Sequence, residues 1–334
     1  MRLTEKGQVS TDRIALKEID SEFTRKLLRY RELNKITSTF LEPFIEKSEK
    51  DGRIHGQYSQ GIVVTGRLSC HNPNLQQVPS RTEDSKKIRS LFCAREGHSL
   101  LVGDFSQIEL RLLAHFSQDR LLVKAYQEGL DIHNETAKMI FKTKEPTPLQ
   151  RFIAKSVNFL SVYGGGPKTL CETVKDMSGT VISEKEAEDV LDKYTLVYRE
   201  AHDWRHNIVE IGRRTQEVRT IGGRVIPIKH IPFFKKSWEK KSQKHTCDFS
   251  ASDRKIVNYT IQGSAADVMR QCLINVHNNF PKKVTGCIHD EVIIETDTPD
   301  LDLPVLKTCM SYSWELKNVR LEADVKVCSD WGQK

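Results

Sequence analysis

Residues 100–117, LLVGDFSQIELRLLAHFS, join a short apolar run to an amphipathic one. Leu100, Leu101 and Val102 have the continuity of a buried strand, which ends at Gly103 and Asp104; helical spacing starts at Ser106 or Gln107. Ile108, Leu112 and His115 share one helical face, widened by Leu110, Leu113 and Ala114. Asp104 therefore stands where a buried strand gives way to a helix. Two readings follow: an N-cap aspartate, or a carboxylate placed at a strand end to face a metal or a cleft. Taken alone, the stretch favours the N-cap.

Working outward, the 334-residue chain is long enough for about two domains. With 38% hydrophobic and 29% charged residues it reads as globular and polar-surfaced, and its net charge of +7 favours a polyanionic partner. The opening MRLTEKGQVSTD has no apolar centre for a signal peptide, and no apolar run reaches transmembrane length, so a membrane role is not expected. Eight scattered cysteines form no CxxC pair. Reduced thiols and a cytoplasmic location are expected, and a zinc site is not.

Residues 14–41 read as one amphipathic helix stopping before Pro43, and residues 53–64 as a strand pair turning at 58–61. TGRLSCHNPNLQQVPSR, residues 65–81, reads as extended or looped and is dense in hydrogen-bonding groups. Residues 119–177 are helical with breaks at 145–148 and 164–167. A capping-box start at Ser183 opens one or two long helices reaching Thr215. A hairpin turning at Gly222-Gly223 follows, then a basic loop at 235–244 that reads as solvated surface, then a helix over 255–278.

A second carboxylate centre lies in VTGCIHDEVIIET, residues 284–296, where His289, Asp290 and Glu291 occupy a hairpin turn between apolar strands. Acidic residues are ordinary turn formers. Yet one aspartate at a hairpin tip and another at the end of a separate buried strand also suit a two-metal site, with phosphate oxygens completing the coordination. A third centre is RFIAKSVNFLSVYGGG, in which Arg151, Lys155, Phe159 and Tyr163 recur every four residues and form one slowly winding helical stripe. Cations followed by aromatics match an incoming nucleoside triphosphate, charges on phosphate and rings against sugar and base.

The ordered set TGRLSCHNPNLQQVPSR, DFSQIELRLLAHFS, DIHNETA, RFIAKSVNFLSVYG, IGGR, RKIVNYTIQGSAAD and IHDE, with SDW near the end, resembles the polymerase core of family A DNA polymerases, the bacterial DNA polymerase I type. The resemblance implies an α+β fold: a palm built on an antiparallel sheet, helical fingers, and a thumb largely missing. It implies a residual thumb segment over residues 1–60, palm over 61–118, fingers over 119–250 and palm again over 251–334. Asp104 and Asp290, with the backbone carbonyl of Phe105, would hold two Mg²⁺ ions, Mn²⁺ being the alternative, and Glu291 would support them. Lys155 would contact the triphosphate and protonate the leaving pyrophosphate. Arg151 and His133 would grip phosphate oxygens with Gln107 nearby, and Glu109 would gate the sugar against a 2′-hydroxyl. Tyr163 would stack at the templating position and Phe159 beside the sugar. Arg67, Gln262 and His289 would read minor-groove acceptors at the primer end, with Arg254 and Asn258 also on DNA.

The implied activity is template-directed addition of deoxynucleotides to a primer 3′-hydroxyl, with release of pyrophosphate and no proofreading domain in this chain. The implied partners are primer–template DNA and dNTPs. Where the chain departs from the family is in its short N-terminal side. That implies a short or truncated form, or the C-terminal half of a split polymerase of the kind found in bacteriophages, binding DNA but inactive without an N-terminal thumb or exonuclease fragment. Gly165 and Gly166 also depart from the family's bulkier residues. A single-subunit RNA polymerase relative is the rival within the enzyme class, opposed by Glu109 and by the HDE turn.

Overall fold

In a computed structural model of the chain, residues 7–17, 19, 21–80, 82–228 and 251–334 are described; the basic loop at 235–244 lies outside them. Two compact units emerge. One comprises the residues before Gln60 together with Ser69–Cys93 and Asp330–Gln333; the other comprises Gln60–Leu68, Ala94–Ser329 and Lys334.

The first unit holds α1 (Arg13–Lys17), α2 (Glu22–Ile36), α3 (Glu42–Ser48), β1 (Gln57–Ser59), β2 (Ser69–His71) and α4 (Glu83–Arg89). The helix predicted over residues 14–41 is instead broken before an extended N-cap at Ser21, and its later part runs on through Pro43. A π-turn over Thr37–Leu41 runs directly into α3, which carries Pro43 at its second position; the widened turn lets the chain pass a residue that has no amide to donate. The strand pair predicted within 53–64 is also corrected. Tyr58 pairs with Cys70, not with residues 62–64, so the second strand lies in the stretch read as looped. Phe44 and Trp331 both meet the Phe92 ring edge-on, at 5.2 and 5.5 Å between centroids, which ties the three pieces of this unit together.

The second unit begins with β3 (Ser99–Phe105), followed by α5 (Ile108–Ser117), α6 (Arg120–Gln127), α7 (Ile132–Phe141), α8 (Pro148–Tyr163), α9 (Pro167–Ser178), α10 (Glu184–Val197) and α11 (Arg199–Thr215). Then come β4 (Glu217–Arg219), β5 (Val225–Pro227), α12 (Ala251–Asn279), β6 (Val284–Ile288), β7 (Glu291–Thr296), α13 (Pro299–Ser311) and β8 (Ala323–Cys328). The helix starts are written locally. Thr147 with Gln150, and Ser183 with Glu186, form complete capping boxes, while Asp119 and Asp131 cap α6 and α7. At the far end of α8, Gly164 takes φ +72°, and a Cβ there would lie 2.6 Å from Cγ of Arg254; both the conformation and the close approach require glycine.

The centre of the unit is a four-stranded antiparallel sheet in the order β6-β7-β3-β8. Leu101 and Val102 of its central strand are wholly buried. Helix α13 comes so close to that strand that a Cβ at Gly103 would lie 2.5 Å from the Met310 sulfur. Helices α7, α8, α10 and α11 form a second body whose members contact one another, and α12 touches α5, α8, α11 and α13. The sheet-and-helix architecture is the one expected.

Candidate active site

The ladder of β3 and β7 sets Gly103 opposite Val292 and Asp104 opposite Glu291, and on its other edge Asp104 faces Asp324 of β8. Directly opposed residues project to the same side of a sheet. Strands β6 and β7 are joined by the two residues His289 and Asp290, with His289 left-handed at φ +57°, as tight hairpins require. The Phe105 amide donates to the Asp290 carbonyl at 3.1 Å, stitching the hairpin tip to the end of β3. Asp104 is thus a residue inside the strand and not an N-cap. The cap position of α5 is Gln107, left-handed at φ +55°, whose side chain makes no capping bond.

Lys334 places its ammonium between two of these carboxylates: it binds Oδ2 of Asp104 at 3.1 Å and forms a short contact with Oε2 of Glu291. Asp290 is half-buried, and its carboxyl is pushed up to about 6, first by burial and then by the Glu109 and Asp104 charges, with Arg67 and Lys334 partly offsetting them. Glu109, 6% exposed on α5, accepts from Arg67 Nη2 at 2.7 Å and from the Tyr163 hydroxyl at the end of α8. Burial and Glu109 raise the Tyr163 phenol, which therefore stays protonated as the donor, and Gln262 of α12 also reaches that hydroxyl.

Asp104, Asp290, Glu291, Glu109, Arg67, Tyr163 and Gln262 thus form one neighbourhood. The other end of α8 lies about 18 Å away along the helix axis, twelve residues at the α-helical rise. Arg151 there is paired with Asp131 through Nε at 3.0 Å and Nη2 at 2.5 Å, and Lys155, one turn nearer to Tyr163, is exposed with no ion-pair partner among the described residues. His133 is only 4% exposed, its ring 5.8 Å from that of Phe159. Gln107 accepts from the Tyr126 hydroxyl at 3.2 Å, and His289 is exposed. Arg254 lays its stem on Gly164, while Oδ1 of Asn258 is buried without a partner among the described residues.

Sequence reasoning missed two sets of residues. Lys334 is one; its only signal is a cation three positions after Trp331. The second is a buried polar net behind α8. Asn158 bonds His133 and Thr136, Thr136 bonds Tyr198, Ser161 bonds Tyr194 at 2.9 Å, and the 2%-exposed Arg205 donates to the Ser161 carbonyl at 2.5 Å. Its signal was an asparagine and two serines on the apolar side of the 151–163 stripe. Arg111, likewise buried, fixes the β3–α5 turn by donating to the carbonyls of Ser106 and Arg320 and to Glu322.

An antiparallel sheet ending in facing carboxylates, flanked by a helix that carries cations at one end and a tyrosine at the other, defines a palm-and-fingers protein. The chain belongs to DNA polymerase family A, whose family model matches residues 1–333. It is 32% identical to DNA polymerase I of Treponema pallidum over 97% of its own length and 32% of that protein's. It is 33% identical to the thermostable DNA polymerase I of Thermus aquaticus over 98% of its length and 39% of that protein's. The chain therefore spans about a third of the curated relatives it matches. The POL domain of Pol1 from M. smegmatis, solved in complex with DNA primer-template and dNTP, superposes with a TM-score of 0.84 at 29% identity, covering 99% of this chain and 58% of that one.

Proposed function

We propose that this chain catalyses template-directed addition of deoxynucleotides to a primer 3′-hydroxyl, with Asp104 and Asp290 as its essential carboxylates. The observation that carries the reading is the bonded chain Arg67–Glu109–Tyr163, which ties the C-terminal end of α8 to α5, the helix following the Asp104 strand, with the Arg67 and Glu109 charges both felt at Asp290. Family membership supports it, as does likeness to a polymerase domain solved with primer-template and dNTP.

The donor set fits divalent cations. Lys334 already places a positive charge between Asp104 and Glu291, and Asp290, raised first by burial, also feels the Glu109 and Asp104 charges. Among the described residues no group of three or more His, Cys, Asp or Glu side chains is arranged as a closed metal site. An open site on two aspartates and the Phe105 carbonyl, completed by phosphate oxygens, needs no such group. When bound, two Mg²⁺ ions would activate the primer hydroxyl and neutralise the triphosphate.

The protein's own groups do the rest. Lys155 and Arg151 meet phosphate oxygens, which requires Arg151 to exchange Asp131 for substrate. Lys155 hands a proton to departing pyrophosphate, His133 donates to a phosphate oxygen, and Phe159 lies along the sugar. Glu109 closes the space a 2′-hydroxyl would need, and Tyr163 leaves it to stack on the templating position. Arg67, Gln262 and His289 test minor-groove acceptors common to all correct pairs, with Arg254 and Asn258 along the duplex. In this scheme 61–118 and 251–334 are palm, and 119–250 are fingers.

The test is Mg²⁺-dependent extension of a labelled primer–template beside an Asp290→Ala control. Extension by the wild type alone is expected. Equal extension by both proteins overturns the carboxylate assignment. Binding without extension by the wild type would make this chain dependent on a partner fragment.

A further inference from the structure

We propose that Asn158 is a positioning residue that fixes His133 as a neutral imidazole with its proton on Nε2, so that this histidine meets the nucleotide as a single hydrogen-bond donor and not as a cation. The identity of what it meets rests on the polymerase reading; the tautomer does not.

Thr136 and Asn158 are wholly buried, and the Thr136 hydroxyl lies 2.6 Å from the carbonyl oxygen of Ile132, which can only accept. A hydroxyl has one proton, so Thr136 must accept from its other neighbours. Tyr198, also wholly buried, has its hydroxyl 2.7 Å from that of Thr136 and no other hydrogen-bond partner among the described residues, so its proton points to Thr136. The remaining lone pair of Thr136 takes an N–H from Nδ2 of Asn158 at 3.0 Å. That same Nδ2 lies 3.0 Å from Nδ1 of His133 and offers it the second N–H.

Nδ1 must therefore present its lone pair, and the ring proton belongs on Nε2. Oδ1 of Asn158 also lies 3.3 Å from the Thr136 hydroxyl, a longer contact than the 2.6 Å one to Ile132; turning the amide over would make Oδ1 the nearer atom and require the proton already held by Ile132, forfeiting the 2.6 Å bond. Protonating Nδ1 would set one N–H against another.

The charges around the ring agree. Asp131 favours a cation, but it already accepts from the backbone amides of His133 and Asn134 and pairs with Arg151. Lys155 and Arg151 on α8 oppose a cation, Phe159 covers the ring at 5.8 Å, and burial outweighs all of these, holding His133 down at about 4. Nε2 has no partner among the described residues and is not sealed from solvent. Substrate charge is thus met by Arg151 and Lys155, while His133 supplies direction.

The test is the long-range ¹H–¹⁵N spectrum of the ¹⁵N-labelled full chain, with His133 assigned by His133→Gln. Between about pH 5.5 and 8 the wild type should show an unprotonated Nδ1 and a protonated Nε2 without titration. The KM for dNTP should show no step near pH 6.5. Asn158→Asp puts an acceptor against Nδ1. It should bring His133 into the neutral titration range and give the KM a pH step while leaving kcat less affected. A protonated Nδ1, or titration of wild-type His133 between about pH 5.5 and 7.5, overturns the proposal whatever the variant does. The expected tautomer in a chain that extends no primer would support the Asn158 assignment and count against the polymerase reading alone.

Discussion

The two ends of the candidate site are held in place by different means. At the palm end, backbone ladders do the positioning: Asp104 and Glu291 face each other because β3 and β7 are in register, and Asp290 follows from a two-residue loop. At the fingers end, α8 is fixed from behind by side chains, through Asn158, Ser161, Tyr194, Tyr198 and Arg205. Where the backbone ladder sets the positions, removing the side chain of Asp104 or Asp290 is expected to leave the sheet folded. The groups behind α8 are buried and polar, so removing any one of them leaves its partners unsatisfied.

The sharpest way to break this contrast is at the palm. Asp104→Ala or Asp290→Ala should lower primer extension by about 10³-fold or more, with the thermal midpoint at pH 7.5 no lower than that of the wild type. A large drop in the midpoint would mean that the carboxylates hold the sheet together. At the fingers the expected pattern inverts. Arg205→Met should cost about 1–3 kcal/mol in urea unfolding, because the buried Ser161 carbonyl loses its guanidinium donor.

Asp119 sharpens the comparison through pH. It is wholly buried, caps α6, accepts from the Ala201 amide at 3.2 Å, and is pushed up to about 6 by burial, with Glu200 adding to the shift. Its folded value lies above its unfolded one, so the folded state binds the proton more tightly. The stability this contributes is full below about pH 4 and is lost as pH rises through about 6. Asp119→Asn keeps a capping oxygen and cannot ionise. It should be more stable than wild type by on the order of 2 kcal/mol at pH 7 and no more stable at pH 4, read from urea midpoints at both. The smallest effect is expected at Lys334. Lys334→Met vacates the cation position between Asp104 and Glu291 and should tighten Mn²⁺ binding, followed by electron paramagnetic resonance, by about 3- to 10-fold.

What could be read from the chain follows the same division. The strand carrying Asp104, the hairpin at His289-Asp290, the helix breaks at 145–148 and 164–167 and the Ser183 capping box are local patterns, and they were legible; the break between α6 and α7 and the Thr147 capping box were not read. The run through Pro43 was not, because a π-turn is a compromise between neighbouring turns that no single residue announces. The pairing of Tyr58 with Cys70 was missed because residues 62–64 offered a nearer and more apolar strand candidate. Lys334 and the net behind α8 depend on contacts between segments far apart in sequence. Periodicity can flag Asn158 as polar on an apolar face, but it cannot say which groups satisfy it.

Gln107 and His289 are non-glycine residues in the left-handed region, at φ +55° and +57°. One lies three residues past Asp104 and the other immediately precedes Asp290. Each such conformation costs an L-residue about 1 kcal/mol that glycine would not incur. Both edges of the carboxylate pair are therefore places where the chain forgoes local ease, and His289→Gly should stabilise the hairpin even as it deletes the side chain proposed to read DNA. A selection for thermal robustness alone would drift toward glycine at both positions, and an alignment of relatives in which it has not would measure how strongly these two side chains are kept for their work.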